Sequence, residues 1–381
     1  MSYKMLIVGA GKQAQAIAYE FVRQKDIDEV CVASRHLDKP KKIKKMLKSD
    51  KICPVKLNAK NFNETVKLMK KFDCAVSAVP YQYNYDLARA AVKAGCNFID
   101  LGGNVDIVKK EFSLSKQAKK NNVAIIPDCG LAPGLVSNLA ALAVQKDFKG
   151  NKVKSVKLRV GGLPQHPKGP LKYMIVFSVH GLINEYIEPV LVIDNYKLKT
   201  VEPMQDVEEL NFPGFGKMEA FNTSGGTSTM PQSYKGKIKE LNYKTIRYPG
   251  HAEKVRCMMY LGLTSSKPRE VEGCKFPPRE LLEDLFKEKL SYKDKDLVLL
   301  KVIVEGTKKK VVYTLVDKEK GGLTAMTRCT GFPAGVIAEM IVRGDIKKKG
   351  ALKHEFDVPP QILYKALKNR GLNIKKKVYY G

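Results

Sequence analysis

Tryptophan is absent from the 381 residues, histidine occurs five times, and acidic side chains are outnumbered 39 to 68 by lysine and arginine. No apolar run approaches the ~20 residues that a membrane-spanning helix needs, so no membrane partner is expected. The eight cysteines (31, 53, 74, 96, 129, 257, 274 and 329) form no Cys-x-x-Cys pair and adjoin no histidine-rich tract. Most fall in apolar patterns, so buried free thiols are expected rather than disulfides, and no metal site is expected. Internal repeats and low-complexity linkers are lacking too. The first apolar strand starts almost at once, which leaves no room for a cleaved leader, and a cytoplasmic location is expected. The formal charge of +29 raises the question of nucleic acid. Its lysines come in short runs, such as Lys41-Lys42, Lys308 to Lys310 and Lys375 to Lys377, which suit solvated helix faces or loops. The runs form no nucleic-acid motif, so the expectation is a lysine-biased surface and not a nucleic-acid partner.

What is present begins with Met5-Leu-Ile-Val8 running straight into Gly9-x-Gly11-x-x-Ala14, followed by helical spacing at Ile17, Ala18, Phe21 and Val22. A tight turn from strand to helix presents free N–H groups at a helix N-terminus, where a pyrophosphate binds. Gly9 permits the turn, Gly11 lets a phosphate approach together with Lys12 and Gln13, and Ala14 keeps helix and strand close. To about residue 130 the pattern alternates strand and helix, with buried strands at 29–33, 73–79, 97–101 and 123–127. After residue 152 longer alternating strands dominate, notably 154–160, 298–304 and 311–316. The predicted fold is α/β: a doubly wound parallel Rossmann sheet over 1–130 and an α+β domain on an antiparallel sheet over 131–330. Two apolar helices in 331–381 are expected to return to the first domain.

Ligands of a doubly wound sheet lie beyond the carboxyl ends of its strands. That rule selects Gly9 to Ala14, Ser34-Arg35, Val79-Pro80-Tyr81, Leu101-Gly102 and Asp128. The second strand ends in Ser34-Arg35-His36, without the carboxylate that grips an adenosine ribose. A hydroxyl and an arginine suit a phosphate there, so NADP is expected before NAD. The alternative is an exposed Arg35 with relaxed choice between the two.

Several longer motifs carry a resemblance: Val79-Pro-Tyr81, Asp100-Leu-Gly-Gly103, Pro127-Asp-Cys-Gly-Leu-Ala-Pro-Gly134, Gly161-Gly-Leu-Pro164, Glu219-Ala-Phe-Asn-Thr-Ser-Gly-Gly-Thr227 and Lys244-Thr-Ile-Arg-Tyr-Pro-Gly-His-Ala-Glu-Lys254. With these the chain resembles the saccharopine dehydrogenase superfamily, most of all its L-lysine 6-dehydrogenases. The resemblance implies a Rossmann domain, a catalytic and dimer-forming second domain, and a homodimer or homotetramer. It implies oxidation of the lysine ε-amine to 2-aminoadipate 6-semialdehyde, which cyclises to a piperideine carboxylate, with release of ammonia. Saccharopine-forming relatives usually read Leu-Asp-Pro-Gly where this chain has Leu131-Ala132-Pro133-Gly134. The alternatives are a reductase of the saccharopine or carboxynorspermidine type, and a non-catalytic nucleotide- or nucleic-acid-binding protein.

Oxidising an amine requires its neutral form, and a lysine side chain has a pKa of ~10.4 in water. Candidate groups are therefore sought at strand ends and domain loops. Asp128 would hold the amine or activate water, or else cap the helix that follows. His251 would serve as general base, or satisfy its turn. Arg247 suits a clamp on the α-carboxylate, or a salt bridge to Glu253 or Glu219. Thr223 and Ser224 open a glycine-rich loop able to bind a carboxylate, and Tyr81 would stack near a nicotinamide. His180 and Tyr173 are weaker candidates. His36, His166 and His354 are expected to be structural or exposed.

Overall fold

Strand β1 (Tyr3–Val8) ends in four buried apolar residues, Met5 to Val8, because both its faces are covered at the centre of a parallel sheet. The computed structural model describes residues 2–149 and 152–381. After β1 come α1 (Lys12–Val22), β2 (Ile27–Ser34), α2 (Asp38–Leu47), β3 (Ile52–Lys56), α3 (Phe62–Met69) and β4 (Cys74–Ser77). The alternation continues through α4 (Asn84–Ala94), β5 (Asn97–Asp100), α5 (Val105–Ser113), α6 (Ser115–Lys120) and β6 (Ala124–Ile126). The strands pair in parallel in the order β3-β2-β1-β4-β5-β6. This is the doubly wound order of a dinucleotide fold, with its switch point between β1 and β4.

Helix α7 (Leu135–Leu142), buried along its whole length, leads to a different architecture. Strand β7 (Val153–Pro164) and helix α8 (Val179–Ile187) precede a hairpin of β8 (Val190–Asp194) and β9 (Lys197–Val201). Then follow β10 (Glu208–Phe212), β11 (Gly216–Asn222), α9 (Met230–Tyr234), β12 (Glu240–Arg247) and α10 (His251–Tyr260). A small hairpin, β13 (Arg269–Val271) and β14 (Cys274–Phe276), leads to α11 (Pro278–Leu290), β15 (Asp296–Gly306) and β16 (Lys309–Lys318). The chain closes with α12 (Ala325–Val342), β17 (Gly350–Ala351), α13 (His354–Asp357), α14 (Pro360–Asn369) and β18 (Lys375–Tyr380). The second sheet runs β10-β11-β12-β7-β15-β16-β18, with β8 and β9 attached at β12. Its β7–β12 pair is parallel, so the sheet is mixed and not purely antiparallel. The long excursion through α8 and the two hairpins supplies the crossover that a parallel pair needs.

Two compact units result: Met1–Asp147 with Thr327–Leu372, and Phe148–Met326 with Asn373–Gly381. In the first unit β17 extends the parallel sheet beside β6. Arg370 there pairs with Glu20 and, at 2.6 Å, with Glu339, which Arg343 also contacts at 2.8 Å. The tail divides where the sequence pattern kept it whole. Lys375–Tyr380 pairs with β16 as an edge strand of the second sheet. Every residue of β18 is exposed, so no alternation of apolar and polar residues marks it as a strand, and its lysines suit an edge. Among the described residues no helix is long and apolar enough to cross a membrane. All eight cysteines are unbridged.

Candidate active site

One candidate cluster, within the first unit, lies at the carboxyl ends of the parallel strands. Gly9 turns out of β1 with φ at 120°, and a Cβ there would stand 2.4 Å from the Ala78 carbonyl oxygen. Gly11 caps α1 with no side-chain hydrogen bond and no acidic residue in the first turn, and the space beside it is open. Lys12 is exposed, Ala14 is buried, and Gln13 carries a buried Oε1 that makes no hydrogen bond. Unsatisfied N–H groups at an uncapped helix start, beside an orphan amide, fit the pyrophosphate of a dinucleotide. At the end of β2, Ser34 is half-buried and Arg35 exposed. The β2–β3 register sets Lys56 opposite Ser34. Lys56 thus stands beside Ser34, and only strand pairing, not sequence spacing, brings it there.

At the nicotinamide end expected of such a fold, one carboxylate ties together two turns. Asp100, the last residue of β5, accepts hydrogen bonds through Oδ1 from the N–H of Gly102 at 2.6 Å and of Asp128 at 3.2 Å. Gly102 has φ at 78°, and a Cβ there would fall 2.0 Å from Asp128 Oδ1. Asp128 itself takes a left-handed backbone, φ 65°, uncommon for a residue with a side chain. Tyr81 opens a 3-10 turn after Val79 and Pro80, and its ring stands 3.1 Å from where a Gly103 Cβ would lie. Tyr81, Leu101-Gly102-Gly103 and Asp128 are thereby brought together. Helix α7 starts at Leu135 with Gly134 as its N-cap residue.

A separate candidate cluster lies within the other unit, where β12 and α8 place buried polar groups on an apolar floor that includes Leu182, Met204 and Phe221. Arg247, 2% exposed, donates from Nε to the Tyr186 hydroxyl at 3.0 Å and from Nη1 to the Ile246 carbonyl at 2.9 Å. Its guanidinium lies 4.7 Å from the centre of the Tyr173 ring. It pairs with neither Glu253 nor Glu219. The Glu219 carboxylate instead accepts from the N–H of Gly250 at 2.8 Å and of Ala252 at 2.7 Å, tying down the start of α10. Among the described residues Arg247 makes no ion pair, whereas the other buried arginines of this unit, Arg159 and Arg279, each hold a carboxylate. Burial works against the Arg247 charge, but Tyr186, Tyr173 and Glu185 outweigh it and raise its pKa. The Tyr173 hydroxyl is buried with no hydrogen-bond partner, the Val176 backbone approaching without bonding geometry.

His251 is committed elsewhere. Its Nδ1 bonds the Leu171 carbonyl at 2.9 Å, which places the proton on that nitrogen, and its Nε2 therefore accepts from the Tyr186 hydroxyl at 3.0 Å. Burial, reinforced by the Arg247 charge, pushes its pKa down to about 3. With its lone pair engaged and so low a pKa, the ring orients Tyr186 and is poorly suited to take a proton from an ammonium. The group with a suitable pKa is Glu185 on α8, which the sequence did not single out. Burial raises it to about 7, with Arg247 opposing and Glu188 reinforcing the shift. Thr223 and Thr245 bond each other's hydroxyls at 2.7 Å, while Ser224 donates through its N–H to the Glu185 carbonyl at 3.0 Å and through Oγ to Glu188 at 3.3 Å. The Thr223-Ser224 loop thus holds α8 and β12 in register, and α9 after it is short.

The remaining histidines make no hydrogen bond to the named residues of either cluster. His180 joins Glu283 and Arg279 at the surface, and His166 meets Asp294. His36 is exposed. His354 is buried against the Pro127 carbonyl at 3.0 Å, and burial lowers its pKa to about 4. No group of His, Cys, Asp and Glu among the described residues could hold a metal ion.

Residues 5–126 match the saccharopine dehydrogenase NADP binding domain, and residues 130–372 match the saccharopine dehydrogenase C-terminal domain. Mouse mitochondrial alpha-aminoadipic semialdehyde synthase is 23% identical over 92% of this chain, although the match takes in 45% of that longer protein. A carboxyaminopropylagmatine dehydrogenase from Synechocystis is 22% identical over 95% of this chain and 94% of its own length. Among solved structures, the apo saccharopine dehydrogenase (L-Glu forming) of Saccharomyces cerevisiae superposes with a TM-score of 0.82 at 21% identity, covering 99% of this chain and 100% of that one. A homospermidine synthase from Legionella pneumophila, solved with NAD, gives 0.72 at 13% identity over 100% of this chain and 92% of its own.

Proposed function

The chain belongs to the saccharopine dehydrogenase family of oxidoreductases, and from that premise we propose that it oxidatively deaminates the ε-amine of L-lysine, with NADP as acceptor and ammonia as product. The observation that carries this reading is Arg247, a buried guanidinium with no carboxylate of its own among the described residues. Arginine cannot shed its proton, and a buried charge is paired or strongly penalised. Two of its five N–H donors are used, which leaves a fork for the α-carboxylate of an amino acid. The orphan Tyr173 hydroxyl is a further donor for the same group.

Glu185 is the proposed base. A bound ammonium has no lone pair with which to expel a hydride, so it must first give up a proton. A carboxylate with a pKa near 7 is still ionised at mildly alkaline pH and is basic enough to help remove it. The nicotinamide nucleotide, when bound, accepts the hydride, and water then replaces the amine nitrogen to give the aldehyde and ammonia. Gly9, Gly11, Lys12, Gln13 and Ala14 are proposed to hold its pyrophosphate, and Ser34, Arg35 and Lys56 its ribose phosphate. Asp128 is proposed to contact amine or water, and Tyr81 to stack at the nucleotide's reactive end. The reading includes a homodimer or homotetramer in the cytoplasm.

A second reading has support from the relatives' names, several of which denote enzymes of secondary amines. In that case the protein splits or forms a secondary amine, and no ammonia is released. Ala132, where saccharopine-forming relatives usually carry an aspartate, favours the first reading. The deciding experiment incubates the protein with L-lysine and either nucleotide, following nucleotide reduction and ammonium together. Ammonium equimolar with NADPH is expected. NADPH formation without ammonium, or consumption of NADPH when lysine meets an oxo acid, would shift the assignment to the second reading.

A further inference from the structure

Beneath the Gly102 and Asp128 turns lies a pair of acids that catalysis as proposed does not use. Asp100 and Glu111 are both 0% exposed. Asp100 Oδ1 accepts the Gly102 and Asp128 N–H groups, but Asp100 Oδ2 and both oxygens of Glu111 are buried without any donor. No lysine or arginine pairs with either acid among the described residues. Two other buried carboxylates of this unit, Glu20 and Glu339, are held by Arg370 and Arg343. The Asp100 and Glu111 side chains interact directly, and two such carboxylates, both ionised and stripped of water, would repel each other at close range. A single proton between them removes the repulsion and satisfies two oxygens at once.

We infer that Asp100 and Glu111 share one proton, with Glu111 donating to Asp100 Oδ2, and that this pair is a positioning device for the Gly102 and Asp128 backbone. The negative charge stays on Asp100, because its other oxygen already accepts two N–H groups. Glu111 keeps the proton because it has no other partner. The other titratable groups around the pair are Asp128, whose charge favours keeping that proton, and Cys129. The Cys129 thiol is turned away to the Ile126 carbonyl at 3.2 Å, while its N–H bonds the Asp100 carbonyl at 2.7 Å. Burial raises the pKa of both acids. Asp100 thus holds one turn through Gly102 and the next through Asp128 and Cys129, and Glu111 holds Asp100.

The role given to that backbone rests on the reading of Tyr81, Gly102 and Asp128 as the nicotinamide end of the site, whereas the shared proton does not. Infrared spectra of the full-length protein in H2O and D2O should contain the carbonyl stretch of a protonated, buried carboxyl at neutral pH. Glu111→Gln should remove it. NADPH affinity, read by nucleotide fluorescence, should stay within about twofold in Glu111→Gln, because the amide supplies the same donor to Asp100. It should weaken about tenfold or more in Glu111→Ala, which strands a buried charge. Should Glu111→Ala fail to fold, the infrared band and its loss in Glu111→Gln still decide the shared proton. Absence of the band in the native protein would overturn the proposal. Unchanged NADPH affinity in a folded Glu111→Ala protein would overturn the positioning role. Neither readout depends on lysine turnover, so failure of the lysine reading would be seen separately.

Discussion

One unit of this protein buries an anion without a cation, and the other buries a cation without an anion. At Asp100 and Glu111 two acids face each other with no basic partner. At Arg247 a guanidinium sits among tyrosines with no acid bound to it. Carboxyls can take up a proton, so the first arrangement closes on itself and needs nothing from outside. Arginine cannot lose one, so on the proposed reading the second stays open until an external carboxylate arrives. Both are departures from ordinary pairing, yet only the second is proposed to mark a ligand.

The largest effect should come from removing the open cation. Arg247→Met should lower kcat/KM for L-lysine about a thousandfold, the scale expected when one partner of a buried charge pair is lost, with melting temperature as the control for folding. Next, Glu185→Gln should reduce kcat by about a hundredfold or more. The native rate should rise with pH through about 7 as Glu185 loses its proton, and the variant should lack that limb, so a pH–rate profile checks both. The closed pair makes a smaller, purely thermodynamic prediction. Folded Glu111 holds a proton that the unfolded chain releases near pH 4.5. Stability from this group is therefore greatest below that pH and declines as the pH rises toward the folded value, by at most about 1.4 kcal/mol per pH unit. Urea unfolding at pH 6 and pH 8 should show a drop that Glu111→Gln reduces. Smallest is the effect of an exposed cation: Arg35→Ala should raise KM for NADP about tenfold and leave NAD nearly unchanged, as initial-rate kinetics would reveal.

The parallel sheet was legible because β1 is an unbroken apolar run entering a glycine turn, and such a run has few other solutions. Strand β18 was not, since all its residues face solvent and its lysines read equally well as a loop. Arg247 and the Asp128 turn could be singled out from residue type and position. The part played by His251 could not, because it depends on a tyrosine from α8 occupying the ring's lone pair. Glu185 escaped for the same reason. Its pKa is set by burial and by the charges of Arg247 on β12 and of Glu188 just past α8, and none of these is visible in the local pattern. Residue type indicates which groups can act, while tertiary packing decides which proton is free to move.

The central claim, that Arg247 is the open end of the comparison and receives a substrate carboxylate, is tested most directly by one ratio. Comparing kcat/KM for L-lysine with that for cadaverine, which lacks only the carboxylate, measures what that group contributes. The account predicts strong preference for lysine in the native protein and near-equality in Arg247→Met, through loss of the lysine rate alone. A preference for lysine that survives undiminished in Arg247→Met would contradict it.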